Sequence, residues 1–203
     1  MEKPNYRREM DSIVSGFEGA KPRLLLQSCC GPCSTSTLET LTQYFDVTVL
    51  YYNPNIQPRE EYDLRLSNQR KVLEHFGVKI LECEYDGHAF TEAARGYEDA
   101  PEGGARCARC FELRLRKTAR EAKKGGFDWY CTTLTVSPHK NAELINAIGR
   151  KIGEEEGIAW LPSDFKKKDG YLRSIRLSTE LGLYRQDYCG CSYSMWHEEE
   201  HNG

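Results

Sequence analysis

The sequence predicts an α/β fold with a mostly parallel, doubly wound sheet, and two patterns carry that prediction. Short runs of β-forming residues alternate along the chain with longer segments whose apolar residues recur at helical spacing. A chain that alternates strands and helices in this way builds a parallel sheet covered by helices. The 203 residues contain no linker and no internal repeat, so we expect one domain, 1–203, with a core over 21–162 and a C-terminal extension over 163–203.

Three strand and helix pairs are predicted in the first half of the chain. Each apolar run is followed by a segment whose apolar residues lie three or four positions apart. The predicted strands are 24–26, 47–52 and 78–81, and the helices that follow them are 35–44, 59–76 and 88–95. A loop rich in Gly and Pro over 98–105 then leads to Cys107.

The second half continues the alternation and ends in a helical extension. The predicted elements are a helix over 110–124, a strand over 130–135, a helix over 141–156, a last strand over 158–161 and a short helix through Ile175 and Leu181. The extension then carries the turn Cys189-Gly190-Cys191. The ligand crevice of such a sheet lies beyond the carboxyl ends of its strands, so the turn after 24–26 and the segment 132–138 are expected to face one crevice.

The composition excludes a membrane protein. Hydrophobic residues make up 39% of the chain, and no stretch approaches the roughly 20 apolar residues of a membrane helix. Residues 1–20 mix both signs of charge and lack the pattern of a signal peptide. We therefore expect a protein of the reducing cytoplasm with no membrane partner, in which cysteines serve metal binding or redox chemistry.

Seven of the nine cysteines fall into three short groups. The groups are Cys29, Cys30 and Cys33; Cys107 and Cys110; and Cys189 and Cys191. Thiolates in such numbers select zinc, iron-sulfur clusters or copper(I). Cys83 and Cys131 stand alone, and we interpret them as core residues because free cysteine packs as a small hydrophobe.

Three interpretations of these groups are open from the residues alone. Two groups could hold a structural zinc in a nucleic-acid-binding module, which leaves three cysteines unused. An iron-sulfur cluster takes four thiolates and leaves a remainder suited to a second metal or a dithiol pair. Residues 30–33, Cys-Gly-Pro-Cys, also match the active site of thioredoxin-like dithiol oxidoreductases, although Cys29 stands where those proteins have Trp.

Two basic segments flank the cysteine groups despite the net charge of −3. Residues 106–124 hold eight basic residues against two acidic ones, and residues 166–176 hold five against one. Local strips of this kind can bind nucleic acid in an acidic protein. The polar residues predicted to face such a partner are Arg114, Arg116, Lys140, Asn141, Lys166, Lys167, Tyr184 and Arg185, and Asp187 is a candidate iron ligand or proton relay.

Six stretches resemble the cobalamin-independent epoxyqueuosine reductases. They are LLLQSCCGPCS (24–34), YYNPNIQPREEYDLR (51–65), RCARCFELRLRKTA (106–119), TTLTVSPHKN (132–141), SDFKKKDGY (163–171) and LYRQDYCGCSYS (183–194). The chain departs from the family at Gly31, where members commonly have Ala. The resemblance implies a Rossmann-like fold and the two-electron reduction of epoxyqueuosine to queuosine at the wobble position of tRNA, without cobalamin.

The resemblance also implies roles for the cysteines. Cys29, Cys30, Cys107 and Cys110 would hold a 4Fe-4S cluster. Cys189 and Cys191 would be either a redox-active pair able to form a disulfide or ligands of an additional iron, with Cys33 and Asp187 as further candidate ligands. The implied partners are tRNA carrying epoxyqueuosine and an unidentified electron donor.

Overall fold

Five strands form one all-parallel sheet in the computed structural model, which describes residues 4–194. The strands are β1 Arg23–Gln27, β2 Asp46–Tyr51, β3 Lys79–Glu82, β4 Trp129–Thr132 and β5 Ala159–Trp160, in the order β3-β2-β1-β4-β5. Every neighbouring pair runs parallel. The predicted α/β class and parallel sheet are confirmed. Residues 195–203 of the predicted extension lie outside the described residues.

Helices cover both faces of this sheet. They are α1 Tyr6–Ser15, α2 Gly31–Leu41, α3 Arg59–Phe76, α4 Gly87–Ala94, α5 Ala105–Lys124, α6 Ala142–Glu156 and α7 Gly170–Glu180, with a 3-10 turn at Thr133–Val136. Successive side chains of β1 point to opposite faces. Leu24 and Leu26 pack with Leu38 of α2 on one face, and Leu25 packs with Leu115 of α5 and residues of α6 on the other.

The largest differences from the predicted elements concern helix starts. Helix α5 begins at Ala105 rather than at residue 110, and α2 begins at Gly31 rather than at residue 35. Pro32 lies in the first turn of α2, where its fixed φ favours a helix and its missing N–H costs nothing. The predicted strand over 130–135 ends at Thr132, whose hydroxyl accepts from the Leu134 amide and so starts the 3-10 turn. Cys33 and Cys107 therefore lie on helices rather than in the predicted loops, and Cys110 lies within α5 rather than at its start.

Helix α1 was not predicted from the sequence. Asn5 caps it by accepting a hydrogen bond from the Arg8 amide at 3.1 Å. Only Met10 and Val14 are buried on this helix, four residues apart among charged neighbours. Two apolar positions give too weak a periodic signal, and burial against the α2 side of the core decides the conformation.

The extension is held against the core by α7 and by the segment after it. Arg173 of α7 donates two hydrogen bonds to the Glu39 carboxylate of α2, at 2.6 and 2.9 Å. The chain then crosses α3, where the Tyr184 amide donates to Asn68 Oδ1 at 2.9 Å. This path delivers the Cys189-Gly190-Cys191 turn to the carboxyl edge of the sheet. None of the helices within residues 4–194 has both the length and the apolar composition needed to cross a membrane.

We expect the Gly149→Ala substitution in α6 to destabilise the protein. A Cβ atom there would lie 2.4 Å from the Trp160 indole, so the ring or the helix must move. Overpacking of this kind costs about 1–3 kcal/mol, more than the roughly 1 kcal/mol that alanine gains over glycine in a helix. Urea unfolding of the protein, with and without Trp160→Leu, measures the effect. If Gly149→Ala with Trp160 intact is as stable as the unsubstituted protein, or more stable, the described packing is contradicted.

Candidate active site

The site lies where the strand order reverses. β2 flanks β1 on one side and β4 flanks it on the other, so the connections leave their carboxyl ends in opposite directions and open a crevice. The Cys29 amide, just beyond β1, donates to Thr133 Oγ1, just beyond β4, at 3.2 Å. The two segments that the sequence predicted to face one crevice therefore touch across it.

Three thiols gather at the N-terminus of α2. The sulfurs of Cys29, Cys30 and Cys33 all lie within 4.8 Å of one another, and Cys29 Sγ and Cys30 Sγ are 3.7 Å apart. Adjacent cysteines can converge because β1 has already ended at Gln27 and Cys30 is the extended N-cap residue of α2. The positive end of the helix dipole favours thiolates at this position.

The other two cysteine groups meet around a small cavity. Cys107 and Cys110 lie in the first two turns of α5, and the Gly103 amide donates to Cys107 Sγ at 3.2 Å. Cys191 packs beside Cys110 in an apolar cluster. This cavity has a volume of about 30 Å³. The four cysteines of the two groups all line it: Cys107, Cys110, Cys189 and Cys191. Cys189 also lines the main crevice with Cys29 and Cys33, so it stands between the groups.

Arg65 fixes the turn that carries Cys189 and Cys191. Its Nη1 donates to the Cys189 carbonyl at 3.0 Å, while its Nε donates to Glu61 at 2.6 Å. Gly190 has a φ of +98°, and a Cβ there would lie 2.8 Å from Arg65 Nη1. Only glycine can both adopt this backbone conformation without strain and let the guanidinium approach so closely.

Arg114 is a buried cation among the thiols. Its side chain is 2% exposed, and its Nη2 donates to Asn53 Oδ1 at 2.6 Å. The same Asn53 oxygen accepts from Gln27 Nε2 at 3.3 Å, and the Thr132 hydroxyl donates to Gln27 Oε1 at 2.7 Å. This chain of hydrogen bonds crosses the carboxyl ends of β4, β1 and β2 and holds the guanidinium in place.

Two of the thiols, Cys29 and Cys189, have lowered pKa values, whereas the pKa values of their neighbours are raised. Hydrogen bonds from Cys30 and Cys33 hold the pKa of Cys29 well below its usual value, and the nearby Arg114 charge lowers it further. A hydrogen bond from Cys191 lowers the pKa of Cys189, and Lys140 and Arg114 add to that effect. By contrast, the pKa of Cys30 is raised to about 12 by its donation to Cys29, and burial raises that of Cys110 to about 11.

A large cavity opens in front of these thiolates. It measures about 1080 Å³ and is lined by both thiolate cysteines, by Lys140 and by residues 185–188 of the extension. Lys140 Nζ lies 3.9 Å from Cys189 Sγ. A ligand pocket for a molecule of nucleoside size needs a few hundred Å³, so the cavity is large enough to admit one.

The predicted basic strip on α5 is not a free surface. Arg114, predicted as a contact for tRNA, is buried in the crevice wall and lines the large cavity instead of an open helix face. Arg116 forms ion pairs with Glu112, Glu155 and Glu156, at 3.2, 2.7 and 3.2 Å. Half of the strip's eight basic residues, Arg109, Arg116, Lys117 and Arg120, therefore pair with carboxylates of α5 and α6.

The remaining predicted contact residues divide into three kinds. Asn141 caps α6 by accepting from the Leu144 amide at 3.1 Å, and Lys166 pairs with Asp164 at 3.3 Å. Tyr184 donates to both Glu61 oxygens at 3.3 Å. Lys167, Arg185 and Asp187 are exposed and have no such partner within residues 4–194, and the last two line the cavity together with the half-buried Lys140.

Sequence reasoning missed the residues that build the crevice walls. Gln27, Asn53, Arg65 and Thr133 received no role, although all four lie inside the stretches that carried the family resemblance. Of the two lone cysteines, Cys131 is buried in the core as predicted, whereas Cys83 is half-buried at its margin. All nine cysteines carry free thiols, so the predicted disulfide between Cys189 and Cys191 is not supported.

The fold and the crevice define an α/β protein with a cysteine-rich site at the switch point of a Rossmann-like sheet, built for sulfur or metal chemistry. A family model described as epoxyqueuosine reductase QueH matches residues 24–197. An epoxyqueuosine reductase QueH of Staphylococcus epidermidis is 43% identical over 203 residues, which cover 95% of this chain and 85% of the relative. That of Thermotoga maritima is 39% identical over 180 residues, covering 87% of this chain and 92% of the relative.

The chain belongs to the epoxyqueuosine reductase QueH family, a family of enzymes. Among solved structures, the U34-tRNA thiolase NcsA of Methanococcus maripaludis, described with its 4Fe-4S cluster, aligns with a TM-score of 0.53 at 14% identity. The alignment covers 92% of this chain and 67% of the thiolase, and it shows a shared fold. Family membership replaces the zinc-module and thioredoxin-like interpretations. The thioredoxin-like one also conflicts with the burial of Cys30, the first cysteine of that motif, which has no exposed surface from which to attack a protein disulfide.

We expect the Arg114→Met substitution to destabilise the protein markedly. It removes a buried donor from the Asn53 and Gln27 chain, and an unpaired buried polar group costs about 1–3 kcal/mol, or about 4–8 °C of melting temperature for a cost near 2 kcal/mol. The matched control is Arg120→Met on the same helix, whose side chain is 63% exposed and pairs with Glu156. Thermal unfolding checks both variants, and equal melting temperatures would contradict a structural role for Arg114.

Proposed function

We propose that this protein removes the epoxide oxygen of epoxyqueuosine at the wobble position of tRNA and so forms queuosine. The step breaks the two C–O bonds of the epoxide, consumes two electrons and two protons, and releases the oxygen as water. The observation that carries the proposal is the meeting of Cys29, Cys33 and Cys189 at one crevice large enough for a nucleoside, with Cys107 and Cys110 at an adjoining small cavity that shares Cys189. The family names of the relatives supply the substrate.

We assign a 4Fe-4S cluster to Cys29, Cys30, Cys107 and Cys110, of which the first two belong to the group of three thiols, with Cys33, whose sulfurs lie within 4.8 Å of one another. Four thiolates are the donor set that such clusters use. Arg114 lies close enough to lower the pKa of both Cys29 and Cys110, so one buried cation serves both pairs. Its Nε is buried without a hydrogen-bond partner among residues 4–194, as expected of a donor that would face sulfur. The NcsA thiolase, with its own cluster, supports the same use of the fold.

When bound, such a cluster would supply electrons one at a time, which is a reason to expect a second redox element nearby for a two-electron reduction. Cys189 and Cys191 fit that role, either as a dithiol or as ligands of an additional mononuclear iron together with Cys33 and Asp187. Cys33 lies in the Cys29 group, and Cys189 and Asp187 line the same crevice. The chain requires no cobalamin in either case.

The other crevice residues position the substrate and manage charge. The Lys140 ammonium, beside Cys189, balances the negative charge of the thiolates and holds a proton at the crevice wall. Arg185 and Lys167 are exposed cations on the extension, and we assign the phosphate contacts of tRNA to them rather than to Arg114 and Arg116. The proposal also includes an unidentified electron donor, which the reduction requires. It includes a location in the reducing cytoplasm, which we infer from the use of the cysteines as free thiols and ligands.

The cluster assignment predicts which cysteines control iron content. We expect Cys107→Ser and Cys110→Ser, like Cys29→Ser and Cys30→Ser, to lose cluster iron and sulfide together with queuosine formation. Cys83→Ser is the matched control, because Cys83 lies outside the crevice and should leave both unchanged. Anaerobic reconstitution followed by iron and sulfide analysis and electron paramagnetic resonance checks the set. A Cys33→Ser protein without a cluster would show that Cys33 replaces one of the four ligands.

A second prediction separates the two roles of Cys189. If Cys189 binds an additional iron, Cys189→Ser should lower the iron per chain by about one while sulfide stays constant. If it belongs to a dithiol, iron should stay constant and activity alone should fall. Iron per chain, sulfide per chain and queuosine formed from epoxyqueuosine tRNA are measured on the same preparation. Unchanged iron and unchanged activity together would contradict both roles.

A further inference from the structure

One wall of the large cavity carries an aromatic ring and a guanidinium side by side. Tyr171, in the first turn of α7, and Arg185, which follows the end of that helix, both line the cavity. The Arg185 guanidinium carbon lies 5.6 Å from the centre of the Tyr171 ring. Tyr171 is half-buried and Arg185 is exposed, so both side chains are accessible to a molecule that enters the cavity.

The backbone around both residues is held in place. Just before Tyr171, Gly170 lets α7 start against the preceding segment, since a Cβ atom there would overlap the Phe165 carbonyl oxygen. The Phe165 amide donates to Thr135 Oγ1 at 3.4 Å, which ties that segment to the turn after β4. Just before Arg185, Tyr184 is bound to α3 through both its amide and its hydroxyl. The ring and the guanidinium therefore extend from fixed points of the chain.

Arg185 differs from the other arginines that lie over aromatic rings within residues 4–194. Those five are each also bound to a carboxylate or a carbonyl of the protein: Arg23, Arg59, Arg65, Arg106 and Arg109. Arg185 forms no ion pair within the same residues, whereas Arg173 of the same extension pairs with Glu39 at 2.6 Å. An exposed guanidinium beside a ring, without an anion of its own, is suited to bind a phosphate.

The cavity has room for more than the base that reaches the thiolates. A pocket for one small molecule starts at about 300 Å³, and this cavity measures about 1080 Å³. A nucleotide in an RNA loop stays linked to its neighbours, so a nucleotide that enters the cavity brings an adjacent one to its mouth. Proteins bind such unpaired bases by stacking them on aromatic rings and neutralise the adjoining phosphates with cations.

We propose that Tyr171 and Arg185 form a stacking subsite for an anticodon-loop base adjacent to the wobble nucleotide. The base stacks on the Tyr171 ring, and Arg185 binds the phosphate next to it. This inference rests on the proposed function, because it takes the wobble nucleotide of tRNA as the one that reaches the thiolates. Stacking replaces part of the contact that the loop loses when the wobble base leaves it, and it accepts any base at the adjacent position.

The test of the ring is a double-mutant cycle between Tyr171 and the base it binds. Anticodon stem-loops with epoxyqueuosine at the wobble position bind anaerobically reconstituted protein without reductant. We expect Tyr171→Leu to weaken binding about 10-fold, the size of one base–aromatic contact, and Tyr171→Phe, which keeps the ring, to bind like the wild type. Two further stem-loops lack the base on the 5′ or the 3′ side of the wobble nucleotide.

At one of these two positions, the missing base should cost the wild type the same 10-fold and cost Tyr171→Leu nothing more. No loss in Tyr171→Leu, an equal loss in Tyr171→Phe, or a missing base that costs wild type and Tyr171→Leu equally at both positions would each overturn the stacking. Iron per chain and melting temperature verify that the variants fold and hold their metal.

The phosphate contact is tested separately by the salt dependence of binding. Arg185→Gln should lower the slope of log affinity against log salt by about 0.7, the value for one phosphate of a single strand, and Arg185→Lys should restore it. The controls Tyr44→Leu and Lys124→Gln change an exposed ring and an exposed cation that precede β2 and β4, at the opposite edge of the sheet, and should alter neither affinity nor slope. An unchanged slope in Arg185→Gln, or the same change in Lys124→Gln, would remove Arg185 from the subsite.

Failure of the subsite and failure of the proposed function give different results. If the wild-type protein forms queuosine but the missing base costs it and Tyr171→Leu equally, the subsite is wrong and the reductase activity stands. If the wild-type protein forms no queuosine, the reductase proposal fails. A loss from the missing base that disappears in Tyr171→Leu would then still support the subsite.

Discussion

The burial of the Arg114 guanidinium is the interaction on which the rest of the site depends. A buried cation is costly unless it is paired and hydrogen-bonded, and this one is held by Asn53 in a chain that reaches Gln27 and Thr132. The chain spans the carboxyl ends of the three central strands. The guanidinium in turn favours the thiolate forms of Cys29 and Cys189, so sheet geometry and sulfur chemistry are connected through one side chain.

The positions of the helix N-termini are the second constraint on the site. Helices α2, α5 and α6 all begin beyond the carboxyl edge of the sheet, as a parallel sheet with helical connections requires. Two of these starts carry cysteine groups, and the third follows Lys140. Negative charge from thiolates or a phosphate therefore meets the positive ends of helix dipoles as well as two buried or half-buried cations. An anionic site in the interior becomes physically tolerable for that reason.

The extension gives this family member its particular crevice. Its CxC turn is not part of the sheet or of a crossover helix, and it reaches the site only because Arg173 anchors α7 to α2 and Arg65 holds the Cys189 carbonyl. Gly190 allows the close approach of that guanidinium. The structure thus divides the seven grouped cysteines by origin, five from the core and two from the extension, with Cys189 lying between them.

The sequence by itself determined the α/β class, the parallel sheet, the order of the strands and helices, the grouping of the cysteines and, through six specific stretches, the family. These depend on periodicity and on local strings, which a single chain displays directly. The sequence did not predict where α2 and α5 begin, nor the presence of α1, because capping residues and two isolated apolar residues give weak local signals. Only the tertiary structure decided that Arg114 is buried while Arg120 is exposed on the same helix. It also decided that Arg116 is matched by Glu155 and Glu156 of α6, and that Arg65 meets Gly190, which lies over a hundred residues away. Charge counts along a sequence cannot reveal such pairings, since they depend on which faces of distant elements the folded core brings together.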